Sequence, residues 1–196
     1  MKIGVLAVQG AVQEHLEVLE EAMRKQALSG RAVRVKRVKE LEEVSALIIP
    51  GGESTAISKL LQKNNLYHLV KRRAEEGMPI MGTCAGCILM AREGDEAVRE
   101  TGTKLLSIMD MAVIRNAFGR QRESFEAKLS ISCLDEEFKG VFIRAPAITR
   151  VWGRCSVVSR FENVIVMARQ EVRFGLTFHP ELSGDSRIHE LFLGLV

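Results

Sequence analysis

The sequence predicts an α/β protein with three layers, in which helices flank a mostly parallel central sheet. In the first half, short buried apolar runs alternate with amphipathic segments of helical period, as in parallel sheets with covering helices. In the second half, short β-rich runs follow one another with few helical periods between them, which predicts added antiparallel strands. No internal repeat, low-complexity tract or linker divides the 196 residues, so we expect a single domain over 1–196.

The elements of the first half can be placed in order. A buried strand at 3–8 precedes a helix whose apolar residues recur with helical spacing at positions 12, 16, 19 and 23, and Gly30 ends this helix. Val33 and Val35 alternate with charged residues, which indicates a strand near a sheet edge. The other elements predicted in this half are a strand at 46–49, helices from 54 and over 66–76, a strand at 78–82 and a helix at 85–92.

The second half is predicted to be mainly β-structure that ends in one helix. The apolar residues Ile188, Leu191, Phe192 and Leu195 lie on one helical face within the last segment, 185–196. The predicted strands of this half lie at 110–115, 125–131, 140–144, 155–159, 163–168 and 172–178.

Composition and charge exclude several classes of protein. The 28 basic and 25 acidic residues leave a net charge of +3, which is too small for the electrostatic footprint of a nucleic-acid binder. No stretch approaches the roughly 20 apolar residues that span a bilayer, and the N-terminal run lacks the long core of a secretory signal. We therefore expect a cytoplasmic protein without nucleic-acid or membrane partners. Its four cysteines are expected to be reduced.

The strongest local motif is Gly82-Thr83-Cys84-Ala85-Gly86, where a predicted buried strand meets a helix. A nucleophile between small residues at such a junction is typical of the nucleophile elbow. The helix N-terminus favours the reactive thiolate of Cys84, and the main-chain N–H of Ala85 is placed to bind an oxyanion. The alternative is a small buried cysteine in a tight strand-to-helix turn.

A thiolate nucleophile needs a base, and His179 is the candidate among the four histidines. It follows the apolar run 174–178 and precedes Pro180, so we expect it at a strand end. Glu181 can accept a hydrogen bond from the far imidazole nitrogen, which gives a Cys–His–Glu triad. A polar turn after a strand is the alternative. His15, His68 and His189 lie on predicted helices, where we expect surface or capping groups.

The third element is the turn Pro50-Gly51-Gly52-Glu53-Ser54, which follows another predicted parallel strand. Two glycines permit unusual backbone angles and close approach of a ligand. The main-chain N–H of Gly52 is a candidate for the second half of an oxyanion hole. An ordinary glycine-rich turn, with Ser54 capping the next helix, is the alternative, and both descriptions are compatible.

Cys84 and Cys87 also form a C-x-x-C pair, which is found in redox pairs and zinc sites. Cys133 and Cys155 stand alone without a nearby histidine, which argues against zinc. The redox alternative stays open, beside a simpler one in which Cys87 fills a small apolar position. Neither a G-x-G-x-x-G motif nor a Walker loop is present.

These elements together resemble the triad class of glutamine amidotransferases. Within it, the chain is most similar to the glutaminase subunits of two-component pyridoxal 5'-phosphate synthases. The resemblance implies a class I amidotransferase-like, flavodoxin-like fold. The matching stretches are I-G-V-L-A-V-Q-G-A-V-Q-E-H at 3–15, I-I-P-G-G-E-S-T at 48–55, G-T-C-A-G at 82–86, R-N-A-F-G-R-Q at 115–121, S-F-E-A at 124–127, G-V-F-I-R-A-P at 140–146 and F-H-P-E-L at 178–182. The segment 147–160 matches weakly.

The resemblance implies hydrolysis of L-glutamine by Cys84, His179 and Glu181. It also implies that the ammonia passes to a synthase subunit in a large hetero-oligomer. Pyridoxal phosphate is then the partner's product, so neither a metal nor an organic cofactor is expected here. The residues implied to bind glutamine are Gly52, Glu53, Ser54, Arg115, Ile143 and Arg144.

Two other functions remain open at this point. A different cysteine hydrolase with the same elbow would use the same triad, but such enzymes lack the arginine for the glutamine carboxylate and the R-N-x-F-G-R-Q run. A regulatory subunit without activity would keep the fold and the partner surface. An intact Cys84, His179 and Glu181 argues against that loss.

Overall fold

The computed structural model describes residues 1–118 and 123–196. Within these ranges the helices and strands follow the predicted alternation closely in the first half and less closely in the second. The helices are α1 (Val12–Lys25), α2 (Val38–Glu42), α3 (Ser54–Lys63), α4 (Tyr67–Glu75), α5 (Ala85–Met90), α6 (Glu96–Glu100) and α7 (Arg187–Leu193), with a 3₁₀ helix at Pro180–Leu182. The strands are β1 (Lys2–Leu6), β2 (Arg31–Val35), β3 (Ala46–Ile49), β4 (Ile80–Thr83), β5 (Ala91–Gly94), β6 (Met109–Ile114), β7 (Ser124–Leu129), β8 (Phe138–Ile143), β9 (Ala147–Val151), β10 (Ser156–Phe161), β11 (Val164–Gln170) and β12 (Arg173–Leu176).

The main sheet confirms the predicted fold class. Its strand order is β2-β1-β3-β4-β12-β11-β9-β6-β5, with β10 paired to β11. The five strands from β2 to β12 run parallel, so their carboxyl ends meet at one edge of the sheet. The strand β2, predicted near an edge from its alternating charges, is the outermost strand on that side.

The predicted antiparallel extension is also present. Beyond β12 the sheet continues through antiparallel pairs of β11 with β12, β9 and β10, and of β9 with β6. The strands β7 and β8 form a separate antiparallel pair with Ser124 opposite Ile143. Because β8 ends at Ile143, this pair delivers Ile143 and Arg144 towards the edge where the parallel strands end.

Two apolar clusters cover the two faces of the main sheet, which accounts for the three layers. One contains side chains of α2 to α5, such as Leu41, Ile57 and Val70. The other contains side chains of α1, α7 and β8, such as Leu19 and Phe142. The longer helices bury one apolar stripe against the sheet, whereas every residue of α5 is buried. Hydrophobic burial of this kind supplies the main stabilisation of the fold. In the described ranges, no helix is both long and apolar enough to cross a membrane.

Several element boundaries differ from those predicted. The helix expected over 85–92 ends at Met90, and Ala91–Gly94 instead forms β5, which pairs parallel with β6. Its sequence A-R-E-G has little intrinsic strand preference, so the pairing overrides local propensity. The first helix ends at Lys25, five residues before Gly30. The short elements α2, α6 and β9 were not predicted.

Candidate active site

The candidate nucleophile Cys84 lies between β4 and α5, at the carboxyl edge of the parallel strands. Its backbone has a φ of 49° and a ψ of −104°, a conformation that a non-glycine residue adopts only under constraint. The main-chain N–H of Cys84 donates to the carbonyl of Leu176 at 2.8 Å. A Cβ on Gly86 would lie 2.0 Å from the carbonyl oxygen of Ile49, so only glycine fits there. The geometry is that of a nucleophile elbow.

His179 and Glu181 reach the elbow because of the pairing of β12 with β4. These strands are parallel, with Leu176 opposite Thr83, so the chain leaves β12 beside Cys84. The His179 imidazole lies close enough to the Cys84 thiol for that thiol to raise its pKa. Its Nδ1 lies 2.7 Å from Glu181 Oε1. The three residues predicted as a triad therefore lie beside one another, with Glu181 at the buried end.

The charge state of His179 follows from these contacts. Burial lowers the pKa of the imidazole, but the hydrogen bonds and negative charges of Cys84 and Glu181 outweigh it. The resulting pKa is about 10, raised from the ordinary 6.5. His179 therefore carries a proton at neutral pH and faces Cys84 as an imidazolium. This is the state in which it can deliver a proton to a leaving group.

The glycine turn lies directly against the pair formed by Cys84 and His179, which we call the dyad. A Cβ on Gly51 would lie 2.4 Å from His179 Cε1 and 3.3 Å from the Cβ of Cys84. The carbonyl of Gly51 accepts a hydrogen bond from the main-chain N–H of Ala11 at 3.1 Å. The backbone at Gly51 can thus approach Cys84 and His179 only because this residue has no side chain, whereas a Cβ on Gly52 would lie 2.4 Å from Gln9 Oε1.

A pocket of about 340 Å³ opens in front of Cys84 and His179. The predicted site residues that line it are Cys84, His179, Gly52, Ala85, Glu53, Ser54, Arg115, Ile143 and Arg144. Glu181 lies behind His179, outside the pocket. Four further lining residues were not predicted: Gln9, Ile88, Asn116 and Pro146. Gln9 could have been found, because it follows β1 at the same carboxyl edge of the sheet.

Glu53 organises one wall of this pocket. Its carboxylate accepts hydrogen bonds from the main-chain N–H groups of Thr55 at 3.0 Å and Ala56 at 2.6 Å, so Glu53, rather than Ser54, caps α3. Arg115 Nη2 lies 3.3 Å from Glu53 Oε1. Burial opposes ionisation, but the N–H groups of Thr55 and Ala56 and the charge of Arg115 hold the pKa of Glu53 below its ordinary value.

The same wall of the pocket is completed by Ser54, Ile143 and Arg144. The Ser54 hydroxyl is buried and has no hydrogen-bond partner among the described residues, although it lines the pocket. A buried polar group without a partner is unfavourable unless a ligand or water satisfies it. Ile143 and Arg144 are exposed at the end of β8. The rest of the motif at 115–121 lies partly outside the described residues, since 119–121 are not among them.

The prediction that His15 and His189 are surface or capping groups is wrong. Both side chains are completely buried, on the inner faces of α1 and α7. His15 Nε2 lies 3.3 Å from Glu181 Oε2. The signal was present in the sequence, because His15 stands three residues after Val12 and four before Leu19, on the apolar stripe itself. His68, in contrast, is exposed as expected.

The C-x-x-C pair is not a disulfide, and its second cysteine is deeply buried. Cys84 and Cys87 are free thiols, and the Cys87 side chain has no exposed surface. Burial raises the pKa of Cys87 far above its ordinary value, which makes this thiol unreactive. Across the described chain, no group of three or more His, Cys, Asp or Glu side chains is placed to hold a metal ion.

Comparison with known proteins agrees with this geometry. Residues 5–196 match the model of the SNO glutamine amidotransferase family. The pyridoxal 5'-phosphate synthase subunit PdxT of Methanosarcina mazei is 49% identical over 196 residues, covering 100% of this chain and 98% of the relative. The same subunit of Archaeoglobus fulgidus is 49% identical over 195 residues, again covering 100% and 98%.

Solved structures give the same assignment. A crystal structure described as a glutamine amidotransferase superposes with a TM-score of 0.87 at 41% identity, covering 98% of this chain and 97% of that one. A chain in the structure of PurLQS from Thermotoga maritima has a TM-score of 0.65 at 17% identity, covering 99% and 96%, and so shares the fold. By sequence, fold and site geometry, this chain belongs to the SNO glutamine amidotransferase family.

Proposed function

We propose that this chain hydrolyses L-glutamine to L-glutamate and ammonia, and that it supplies the ammonia to a synthase subunit that makes pyridoxal 5'-phosphate. The observation that carries the proposal is the alignment of Cys84, His179 and Glu181 beside a pocket that Glu53, Arg115 and Arg144 help to line. The full-length similarity to PdxT subunits supports the same activity. In this proposal, residues 1–196 act as one glutaminase domain.

The reaction follows from the arrangement of the triad and from the protonated state of His179. The Cys84 thiolate attacks the side-chain amide carbon, and the main-chain N–H groups of Ala85 and Gly52 stabilise the oxyanion that forms. The His179 imidazolium gives its proton to the departing nitrogen, so ammonia leaves and a thioester remains on Cys84. A water molecule then attacks the thioester, while His179 accepts its proton. Glutamate is released, and the thiolate–imidazolium pair is restored.

The pocket residues offer partners for the other groups of glutamine. The Arg115 guanidinium is suited to the α-carboxylate, because its planar fork can donate two parallel hydrogen bonds. The Ser54 hydroxyl, which has no partner in the described chain, gains one when glutamine binds. Glu53, Ile143 and Arg144 line the same space and complete the proposed glutamine site, with Gly52 at its inner end.

The partner is proposed to be a synthase subunit in a large hetero-oligomer in the cytoplasm. We expect low activity without it, because an oxyanion hole that includes Gly52 requires a particular orientation of the Gly51–Gly52 peptide. The carbonyl of that peptide is held by the N–H of Ala11. In this proposal, docking of the synthase reorients the Gly51–Gly52 peptide and compensates for the loss of its hydrogen bond with Ala11. Structures with and without the partner test the idea, and an identical, hole-competent peptide in both would refute it.

The first experiment is glutamate release from L-glutamine with and without the matching synthase subunit. We expect activity that depends on the partner and falls by about 10⁴-fold or more in Cys84→Ala, because a triad without its nucleophile loses nearly all of its rate enhancement. Cys133→Ala is the matched control, since Cys133 is exposed and does not line the pocket. This variant should keep full activity.

Two results would contradict the proposal. A folded wild-type protein without activity in either condition would favour a regulatory subunit or another hydrolase. Activity that survives in Cys84→Ala would show that the elbow cysteine is not the nucleophile. Trapping of Cys84 by an electrophilic glutamine analogue separates a glutaminase from a hydrolase with a different substrate.

A further inference from the structure

A closed cluster of polar side chains lies behind the triad, on the side away from the pocket. It consists of His15, His189, Thr83 and the rear oxygen of Glu181, which is Oε2, the carboxylate oxygen that is not bonded to His179. All four residues are buried, and neither histidine ring has any exposed surface. His15 lies on α1, His189 on α7 and Thr83 at the end of β4, so three elements that are distant in the chain meet at the triad carboxylate.

The contacts within this cluster form a chain that ends on Glu181. His189 Nε2 lies 3.0 Å from His15 Nδ1. His15 Nε2 lies between two oxygens, 3.2 Å from Thr83 Oγ1 and 3.3 Å from Glu181 Oε2. The approach to Oε2 is not aligned as a full hydrogen bond, and no other donor in the described chain reaches that oxygen. His15 is therefore the donor nearest to the rear of the carboxylate.

Both histidines are neutral in this environment. Burial, together with the neighbouring His189 and His179, lowers the pKa of His15 well below its ordinary value. Burial lowers the pKa of His189 to about 3. Each ring thus carries a single proton, and the position of that proton determines which groups it can satisfy.

One arrangement of the two protons fits the surroundings. Nδ1 of His189 has no partner in the described chain, and a buried N–H without an acceptor is strongly unfavourable. A proton on His189 Nε2 instead donates to His15 Nδ1. His15 must then carry its own proton on Nε2, which faces Thr83 and Glu181. The opposite arrangement would leave one N–H without an acceptor and turn a lone pair towards the carboxylate.

We propose that His15 is a positioning residue for the triad: its neutral Nε2–H holds the rear oxygen of Glu181, and His189 fixes the tautomer that makes this possible. Glu181 can then keep Oε1 directed at His179 Nδ1. Since a displacement of about 1 Å in a catalytic group reduces rate by up to about 10²-fold, a loose carboxylate lowers kcat. This inference rests on the proposed glutaminase activity.

The test compares two amide substitutions at position 15 in the complex with the synthase subunit. The amide nitrogen of His15→Gln reaches about as far as Nε2 of the imidazole, whereas that of His15→Asn reaches only as far as Nδ1. We expect His15→Asn to lower kcat about 10-fold or more, with the KM for glutamine changed less than twofold. His15→Gln should stay within about threefold of wild type.

The outcomes separate the positioning role from a structural one and from the proposed function itself. Circular dichroism and the Tm of both variants show whether they fold. Equal losses of kcat in the two variants, no loss in either, or a loss that appears in KM would overturn the positioning role. His189→Phe gives a second measurement, since it should lower kcat in wild type but add little in the His15→Asn background. A wild-type complex without glutaminase activity would instead refute the proposed function.

Discussion

The front and the rear of the triad are built from different kinds of residues. In front, Cys84 and His179 face an open pocket whose charged side chains, such as Glu53 and Arg115, are partly exposed. Behind, Glu181 faces His15, which in turn contacts His189, and both histidines are completely buried. Water can exchange with the front groups and screen them, whereas every polar atom at the rear depends on its protein neighbours.

With the roles proposed above, this difference assigns substrate binding to the front of the triad and alignment of the triad to the rear. Side chains that line the pocket without touching Cys84 or His179, such as Arg115, are expected to change substrate affinity while the triad keeps its geometry. Residues at the rear do not line the pocket, so we expect their loss to lower kcat rather than the affinity for substrate. The predictions below test this separation, beginning with the largest expected effect.

The backbone of Gly51 is the point at which the front contacts the dyad most tightly. In Gly51→Ala, the new Cβ would lie 2.4 Å from His179 Cε1, so the imidazole must move. We expect kcat for glutamine hydrolysis in the synthase complex to fall about 100-fold.

Gly102→Ala is the control for this substitution. Gly102 has a φ of 65° with no heavy atom near the added Cβ, so this variant should lose about 1 kcal/mol of stability and no activity. Wild-type kcat in Gly51→Ala would contradict the tight contact.

A substitution of Arg115 tests whether residues at the front of the triad determine the affinity for glutamine. In Arg115→Lys the positive charge near Glu53 is kept, but the planar fork is lost. We expect the KM for glutamine to rise about 10-fold, with kcat changed less than threefold. Arg150→Lys, on β9 away from the pocket, should resemble wild type. A fall in kcat at unchanged KM would place Arg115 with the aligning residues instead.

The protonation of His179 links the front to the rear. Because its pKa is raised to about 10, the imidazolium persists through neutral pH and is lost as pH rises through that value. We expect kcat/KM for glutamine, which reports the free enzyme, to stay level through neutral pH and to decline near pH 10, since the leaving ammonia needs this proton. Circular dichroism and gel filtration at each pH exclude unfolding and dissociation. A decline that already begins near the ordinary imidazole pKa of 6.5 would argue against an ion pair of His179 with Cys84.

Cys87 gives the smallest expected effect and decides the redox alternative. The thiol is buried beneath the elbow, 3.3 Å from the position that a Cβ on Gly175 would occupy. Cys87→Ala should change kcat less than twofold and reduce the free energy of unfolding by about 1 kcal/mol, as denaturant unfolding would measure. A loss of activity comparable to that of Cys84→Ala would instead indicate that both cysteines take part in the chemistry.

The parts of the site that could be predicted are those fixed by local sequence at strand ends. Cys84, His179 and the turn at Gly51 each follow a short apolar run, and parallel strands end at a common edge. Their approach in space could therefore be expected without knowing the strand order. Arg115 had no such signal. It was selected by resemblance alone, because one arginine among 28 basic residues is not distinguished by local pattern.

The parts that could not be predicted depend on which neighbours an element meets. Ala91–Gly94 forms a strand because β6 offers it a parallel partner. The pairing of β9 with β6 and β11 likewise joins residues that are distant in the chain. For His15 the apolar spacing was available, but its meeting with His189 requires the packing of α1 against α7, which lie at opposite ends of the sequence.

The position of β12 has a consequence for how the protein forms. This strand lies in the middle of the main sheet, between β4 and β11, yet it begins only at Arg173. During synthesis the strands β1 to β4 can pair as they emerge, because chains fold from the N-terminus as they are made. Until β12 is made, the edge of β4 beside the elbow has no strand partner. Long-range pairing of this kind is slow. Because His179 and Glu181 follow β12 in the chain, the triad is complete only after β12 has paired with β4.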